Sequence, residues 1–225
     1  MKNKTVAMAV AIAVLASGAG GAQAASISYY LNQSNADAVL PDGTNYALVT
    51  INDDVANTLR FTVSLFAPLT SIAGSNFGID SFAFNVIGAN PLQDFGAIAG
   101  QWTLPTGWIA NVAPPPNQAD GFGRFDAEAN GSGGARVATL NFSIHNTALN
   151  LYSFAENSSN NAGQGNVFFS AHIAGFNAGN GVTSAYFGGS TLVPVPLPAT
   201  LPFLLSALGG LGLIRRRVSV LALRT

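Results

Sequence analysis

The chain has few side chains that can move a proton or hold a metal, so their spacing decides what chemistry is open to it. It has two histidines, His145 and His172, and no cysteine. Without cysteine there is no thiolate nucleophile, no thiolate metal ligand and no disulfide. His145 falls on the polar side of the run Thr139, Asn141, Ser143, and His172 on the side of Phe168 and Ser170. The two can form a catalytic or metal-binding pair only where those faces meet in space. The ordinary reading is two solvated or hydrogen-bonded strand residues, and that is the expectation. The sequence has no His-Glu-x-x-His, no Gly-x-Ser-x-Gly and no phosphate-binding loop. No catalytic set can be named, and a non-enzymatic role is expected.

Two further groups have chemistry of a softer kind. Asp120, Asp126 and Glu128 lie close together in Asp120-Gly121-Phe122-Gly123-Arg124-Phe125-Asp126-Ala127-Glu128. Their oxygens suit Ca²⁺, which takes carboxylates and backbone carbonyls. The spacing fits neither an EF-hand loop nor a Gly-Asp-rich roll. Turn and edge-strand chemistry, with Arg124 pairing one acid, is therefore expected, and no cofactor. Phe122 and Phe125 cannot share a face of a regular strand, so Gly121 and Gly123 suggest a bend or bulge. Trp102 and Trp108 flank Leu104-Pro105-Thr106-Gly107. Exposed, they would stack on sugar rings; the commoner arrangement has them closing the ends of a core.

The elements that must position these residues read as strands. Leu59, Phe61, Val63 and Leu65 alternate with Thr58, Arg60, Thr62 and Ser64. Ala138, Leu140, Phe142 and Ile144 alternate with Thr139, Asn141, Ser143 and His145. Val167, Phe169, Ala171 and Ile173 do the same, and shorter runs follow at 27–31, 46–51, 81–87 and 182–187. Period two marks half-buried strands, and no helical apolar stripe is sustained. Asn52 to Asn57 reads as the turn of an antiparallel hairpin. Pro114-Pro115-Pro116 is a stiff extended stretch. Many short strands between Gly- and Asn-rich turns predict an all-β domain, a two-sheet antiparallel β-sandwich, jelly-roll-like, with a closed barrel as the alternative. Its core should hold Leu59, Phe61, Val63, Leu140, Phe142, Ile144, Phe169 and Ile173.

The ends of the chain are of another kind. Lys2 and Lys4, an apolar run from Val6 to Ala16 and the small-residue exit Ala22-Gln23-Ala24 form a secretory signal peptide over 1–24, with cleavage after Ala24. Between Leu197 and Ile214 there is no charge. A helix of that length spans about 27 Å, close to a hydrocarbon core of about 30 Å. Arg215, Arg216 and Arg217 follow as a cytoplasmic stop. The exported part, residues 25–193, has three arginines against ten acids, leaving −7. Such a surface repels phosphate backbones, so nucleic acid is not an expected partner.

The order Val195-Pro196-Leu197-Pro198-Ala199, apolar span and arginine cluster over 194–225 resembles the PEP-CTERM sorting domains in their VPLPA form. The sequence has no Pro-Glu-Pro, and the chain runs on past the arginines to Thr225. The resemblance implies passage through the Sec translocon, a transient single-pass precursor in the inner membrane of a Gram-negative bacterium, and processing by an exosortase-type enzyme. The mature form would be a non-catalytic protein of the cell envelope or extracellular matrix, with exopolysaccharide as a further partner. A carbohydrate-binding module is the alternative. The segments 120–128 and 169–176 also resemble an exported β domain found ahead of such tails, which brings no activity with it.

Overall fold

The computed structural model describes residues 25–88, 101–145, 149–160 and 163–194. The signal peptide with Ala22 and Ala24, the sorting motif Val195 to Ala199, the apolar span and Arg215–Arg217 lie outside the described residues. Among the described residues no helix is long and apolar enough to cross a membrane.

The described chain forms strands β1 (Ser26–Leu31), β2 (Gln33–Ser34), β3 (Ala47–Val55), β4 (Thr58–Leu65), β5 (Ala73–Phe84), β6 (Trp102–Thr103), β7 (Ile109–Ala119), β8 (Gly123–Asn130), β9 (Thr139–His145), β10 (Phe169–Phe176), β11 (Ser184–Gly189) and β12 (Thr191–Leu192). One short helix, α1 (Ala67–Thr70), and a 3-10 turn at Leu151–Phe154 complete it. The strands make two six-stranded antiparallel sheets. Sheet A runs β12-β1-β3-β4-β9-β6, and sheet B runs β2-β11-β10-β5-β8-β7. The expected all-β, two-sheet antiparallel sandwich is the architecture observed.

Alternation explains the packing. In β4 and β9 the pairs Phe61–Phe142, Val63–Leu140 and Leu59–Ile144 face one another across the ladder. All of the expected core residues are buried. Phe61 stacks on its sheet-A neighbour Phe142 at 4.6 Å and 9°, and across the interface on Phe84 of sheet B at 5.5 Å and 20°. Burial of such rings is worth about 1.5–3 kcal/mol each in transfer free energy, so this aromatic layer ties the two sheets together.

Several boundaries differ from the sequence reading. The 52–57 turn is shorter than expected, because β3 runs to Val55 and β4 starts at Thr58. Asn57 takes the left-handed conformation at φ 59°. The run at 81–87 is the end of a longer strand that begins at Ala73. Pro114–Pro116 lies inside β7, where the pairing with β8 shifts between Val112 and Asn117. Proline lacks the N–H a ladder needs, so an edge strand with an interruption is where it fits.

The two outer faces are unlike. On sheet A the pattern is half-exposed, as in β9 with buried and open residues alternating. On sheet B a second small cluster of Ala83, Ala119, Phe122, Phe125 and Val167 covers part of the outer face. Gly121 and Gly123, at φ 84° and 95°, turn the chain so that Phe122 and Phe125 meet in that cluster. A Cβ on Gly188 would lie 2.7 Å from the Phe122 ring, so the ring sits directly on the β11 backbone.

Candidate functional site

Each tryptophan belongs to the core edge. Trp108 is 7% exposed, and its Nε1–H donates to the Ala135 carbonyl at 2.7 Å. Gly131 lies against its ring, leaving no room there for a side chain. Trp102, in β6, is half-buried and stacks on Phe142 at 5.5 Å and 7° and on Phe84 at 5.5 Å and 22°.

The three acids are held apart by separate partners. Asp120 accepts from Asn35 Nδ2 at 3.2 Å. Asp126 accepts from the Val86 N–H at 3.2 Å. Glu128 accepts from Asn111 and Asn130, each at 3.1 Å. Among the described residues no group of three or more His, Asp or Glu is placed to hold a metal ion. Arg124 enters none of the ion pairs formed among the described residues; its backbone bridges to Ser159. Burial pushes the Asp126 carboxyl above its ordinary range, and the Val86 N–H offsets only part of that.

The histidines point away from one another across the core. His145 lies on the outer face of sheet A, Nδ1 against Thr58 Oγ1 at 3.0 Å and Nε2 against Thr103 Oγ1 at 3.1 Å. His172 lies on the outer face of sheet B. Its Nδ1–H donates to Asp80 Oδ1, and Arg136 Nε donates to Asp80 Oδ2 at 3.1 Å. Asp80 reaches that face through a bulge. His172 pairs with Ser81 and Ile173 with Ile79, so Asp80 is the extra residue between. Burial raises the Asp80 carboxyl, but the bonds and charges of His172 and Arg136 outweigh it and leave it below its ordinary range. The His172 ring lies 4.5 Å from that of Tyr186. Burial first, then the carboxylates of Glu128, Asp80 and Asp120, push the Tyr186 phenol up. This network pins β5, β10 and the 131–137 segment together. Nothing in the spacing of Asp80, Arg136 and His172 along the chain signals it; only the bulge does.

The open concavity is on sheet A. A groove of about 420 Å³ crosses its outer face, lined by Asn52, Asp54, Arg60, Thr62, Thr103, Asn141 and Ser143, with Phe61 and Phe142. Pairing registers set these residues in rows. One row reads Ser26–Asn52–Arg60–Ser143–Thr103 across β1, β3, β4, β9 and β6. The next reads Ser28–Thr50–Thr62–Asn141. Arg60 pairs with Asp54 at 2.9 Å, and the Thr62 hydroxyl donates to Asn141 Oδ1 at 2.9 Å. The groove is therefore polar on its surface, self-neutralised in charge and floored by the core.

Compared with known proteins, the chain matches no family model, no curated protein and no solved structure.

Proposed function

We propose that this is an exported, non-catalytic protein of the cell envelope or extracellular matrix, sorted by an exosortase-type enzyme through the Val195–Ala199 motif and the tail behind it. The observation that carries the reading is how the folded part closes. β1 pairs with β12 through Tyr29–Leu192 and Tyr30–Thr191, and the Val193 N–H donates to the Ser28 carbonyl at 2.9 Å. The described strands thus begin at Ser26 and end at Leu192, side by side at one sheet edge. A domain that folds without either address segment is what two successive processing events require. The Ala25 N–H donates to Asp53 at 2.8 Å, so cleavage after Ala24 would leave the new amino group beside a carboxylate. We take the sandwich as jelly-roll-like, because its chain crosses between sheets repeatedly instead of completing one sheet first.

The test is the intact mass and cell fraction of the protein made in a host with the matching exosortase. The mature form should begin at Ala25 and lack Arg215–Arg217. Changing Pro196 and Pro198 to Ala should trap the precursor in the inner membrane. Unchanged release of that variant would show that the motif is not the signal.

A second reading, a carbohydrate-binding module, is favoured by the polar groove on sheet A. In this reading the sugar is held by the hydroxyls and amides of the groove, while Asp120, Asp126 and Glu128 each keep a hydrogen-bond partner of their own. Polysaccharide pull-down tests it.

A further inference from the structure

We infer that the outer face of sheet A binds a neutral, extended polysaccharide laid across the strands. This rests on the second reading and specifies its site and ligand.

Three observations lead there. The first is spacing. The rows Ser26–Asn52–Arg60–Ser143–Thr103 and Ser28–Thr50–Thr62–Asn141 run perpendicular to the strands. Strands lie about 4.8 Å apart, comparable to the length of one sugar unit in an extended chain. A polymer lying along the rows meets a fresh pair of polar groups at every strand. The second is chemistry. The rows hold hydroxyls and amides, which both donate and accept, and beside them the Arg60 guanidinium donates and the Asp54 carboxylate accepts, so sugar hydroxyls find both kinds of partner. The third is charge. Asp54 and Arg60 cancel within the groove, while the exported part carries −7 overall. A polyuronate or sulfated polymer meets repulsion with no cationic patch to offset it, whereas a neutral polymer meets none.

Aromatic stacking has little part in this site. Phe61 and Phe142 are buried beneath the groove, and Tyr30, one row beyond Ser28 on β1, has its ring against Phe66, 6.2 Å away. Sheet B is the poorer surface, because Phe122 and its cluster cover part of its outer face. Hydrogen bonds traded with water contribute little each. Affinity should therefore rise steeply with polymer length and be weak for short oligosaccharides.

The experiment is affinity electrophoresis of the full chain in detergent, in gels holding hydroxyethylcellulose, galactomannan or alginate. Wild type should be retarded by at least one neutral polymer and not by alginate. The double variant Arg60→Gln, Asn141→Ala should weaken that retardation at least tenfold, and Ser143→Trp, which fills the groove, should abolish it. Ser184→Ala on sheet B should leave it unchanged. Melting curves matching wild type establish that the variants are folded. Retardation by alginate alone, or by a neutral polymer with both groove variants unaffected, would overturn the inference while leaving glycan binding elsewhere on the molecule. Retardation by none of the three would overturn the inference and the second reading together.

Discussion

Phe142 shows how one residue divides the two faces of a strand. Its ring is stacked between Phe61 at 4.6 Å and Trp102 at 5.5 Å, while the neighbouring Asn141 faces the groove and bonds Thr62. Phe142→Ala should cost roughly 3–5 kcal/mol, a large part of the 5–15 kcal/mol margin of a typical domain. Asn141→Ala should cost about 1 kcal/mol or less. Urea unfolding compares them, and equal losses would mean that the outer face of β9 is buried as well. Two carboxylates give the pH dependence, with opposite signs. Asp80 is lowered, so its contribution is present above the ordinary carboxylate pKa and is lost as pH falls through the lowered value. Asp126 is raised, so its contribution is present at low pH and is lost as pH rises through the raised value. Asp126→Asn keeps an oxygen for the Val86 N–H and removes the charge. It should be more stable than wild type at pH 7 and equal to it near pH 3, read by thermal melting. A variant less stable than wild type at pH 7 would show that the charge is favourable where it lies.

At the scale of elements, the β3–β4 hairpin turns on Ala56 and Asn57, with Asn57 at φ 59°. Asn57→Gly should be nearly neutral. Asn57→Val should cost about 1–2 kcal/mol, since a β-branched side chain opposes the left-handed region. Equal melting temperatures for the two would show that the turn relaxes. This hairpin was legible in the sequence because alternation and turn chemistry sit side by side there. So were β9 and β10, whose apolar residues repeat every second position. β7 and β8 were not. In β7 the pairing shifts around Pro114–Pro116. β8 does alternate, with Phe125, Ala127 and Ala129 buried between Arg124, Asp126, Glu128 and Asn130, but small alanines carry most of its inward face and its Phe125 packs apart from Ala127. The groove was illegible for a different reason. Asn52, Arg60, Ser143 and Thr103 come from four strands, and only the order β3-β4-β9-β6 lines them up. Asp80, Arg136 and His172 were hidden in the same way, because a bulge cannot be read before its partner strand is known. The acids at 120–128 and the two tryptophans, conspicuous along the chain, are each taken up by local packing and hydrogen bonds.

For the whole molecule, asymmetry is the governing feature. One sheet is partly covered on its outer face by a small apolar cluster and the other stays open, so the molecule has a back and a front. The last strand adds something mechanical. β12 is held by two residue pairs with β1, the bond from Val193 and one from Asn32 Nδ2 to the Thr191 hydroxyl, and the sequence runs on from it into the tail. Tension arriving through that tail falls first on this two-pair ladder, while the long β3–β4 and β4–β9 ladders bear none of it until β12 has gone. The strand would act as a fuse: under load it peels away and lengthens the tether by a few residues, and the stacked aromatic layer remains intact. Pulling on the tail against a handle fixed to β9 should give a brief extension at low force, well before the sandwich itself ruptures. A single rupture with no early step would mean that the edge is as strong as the core.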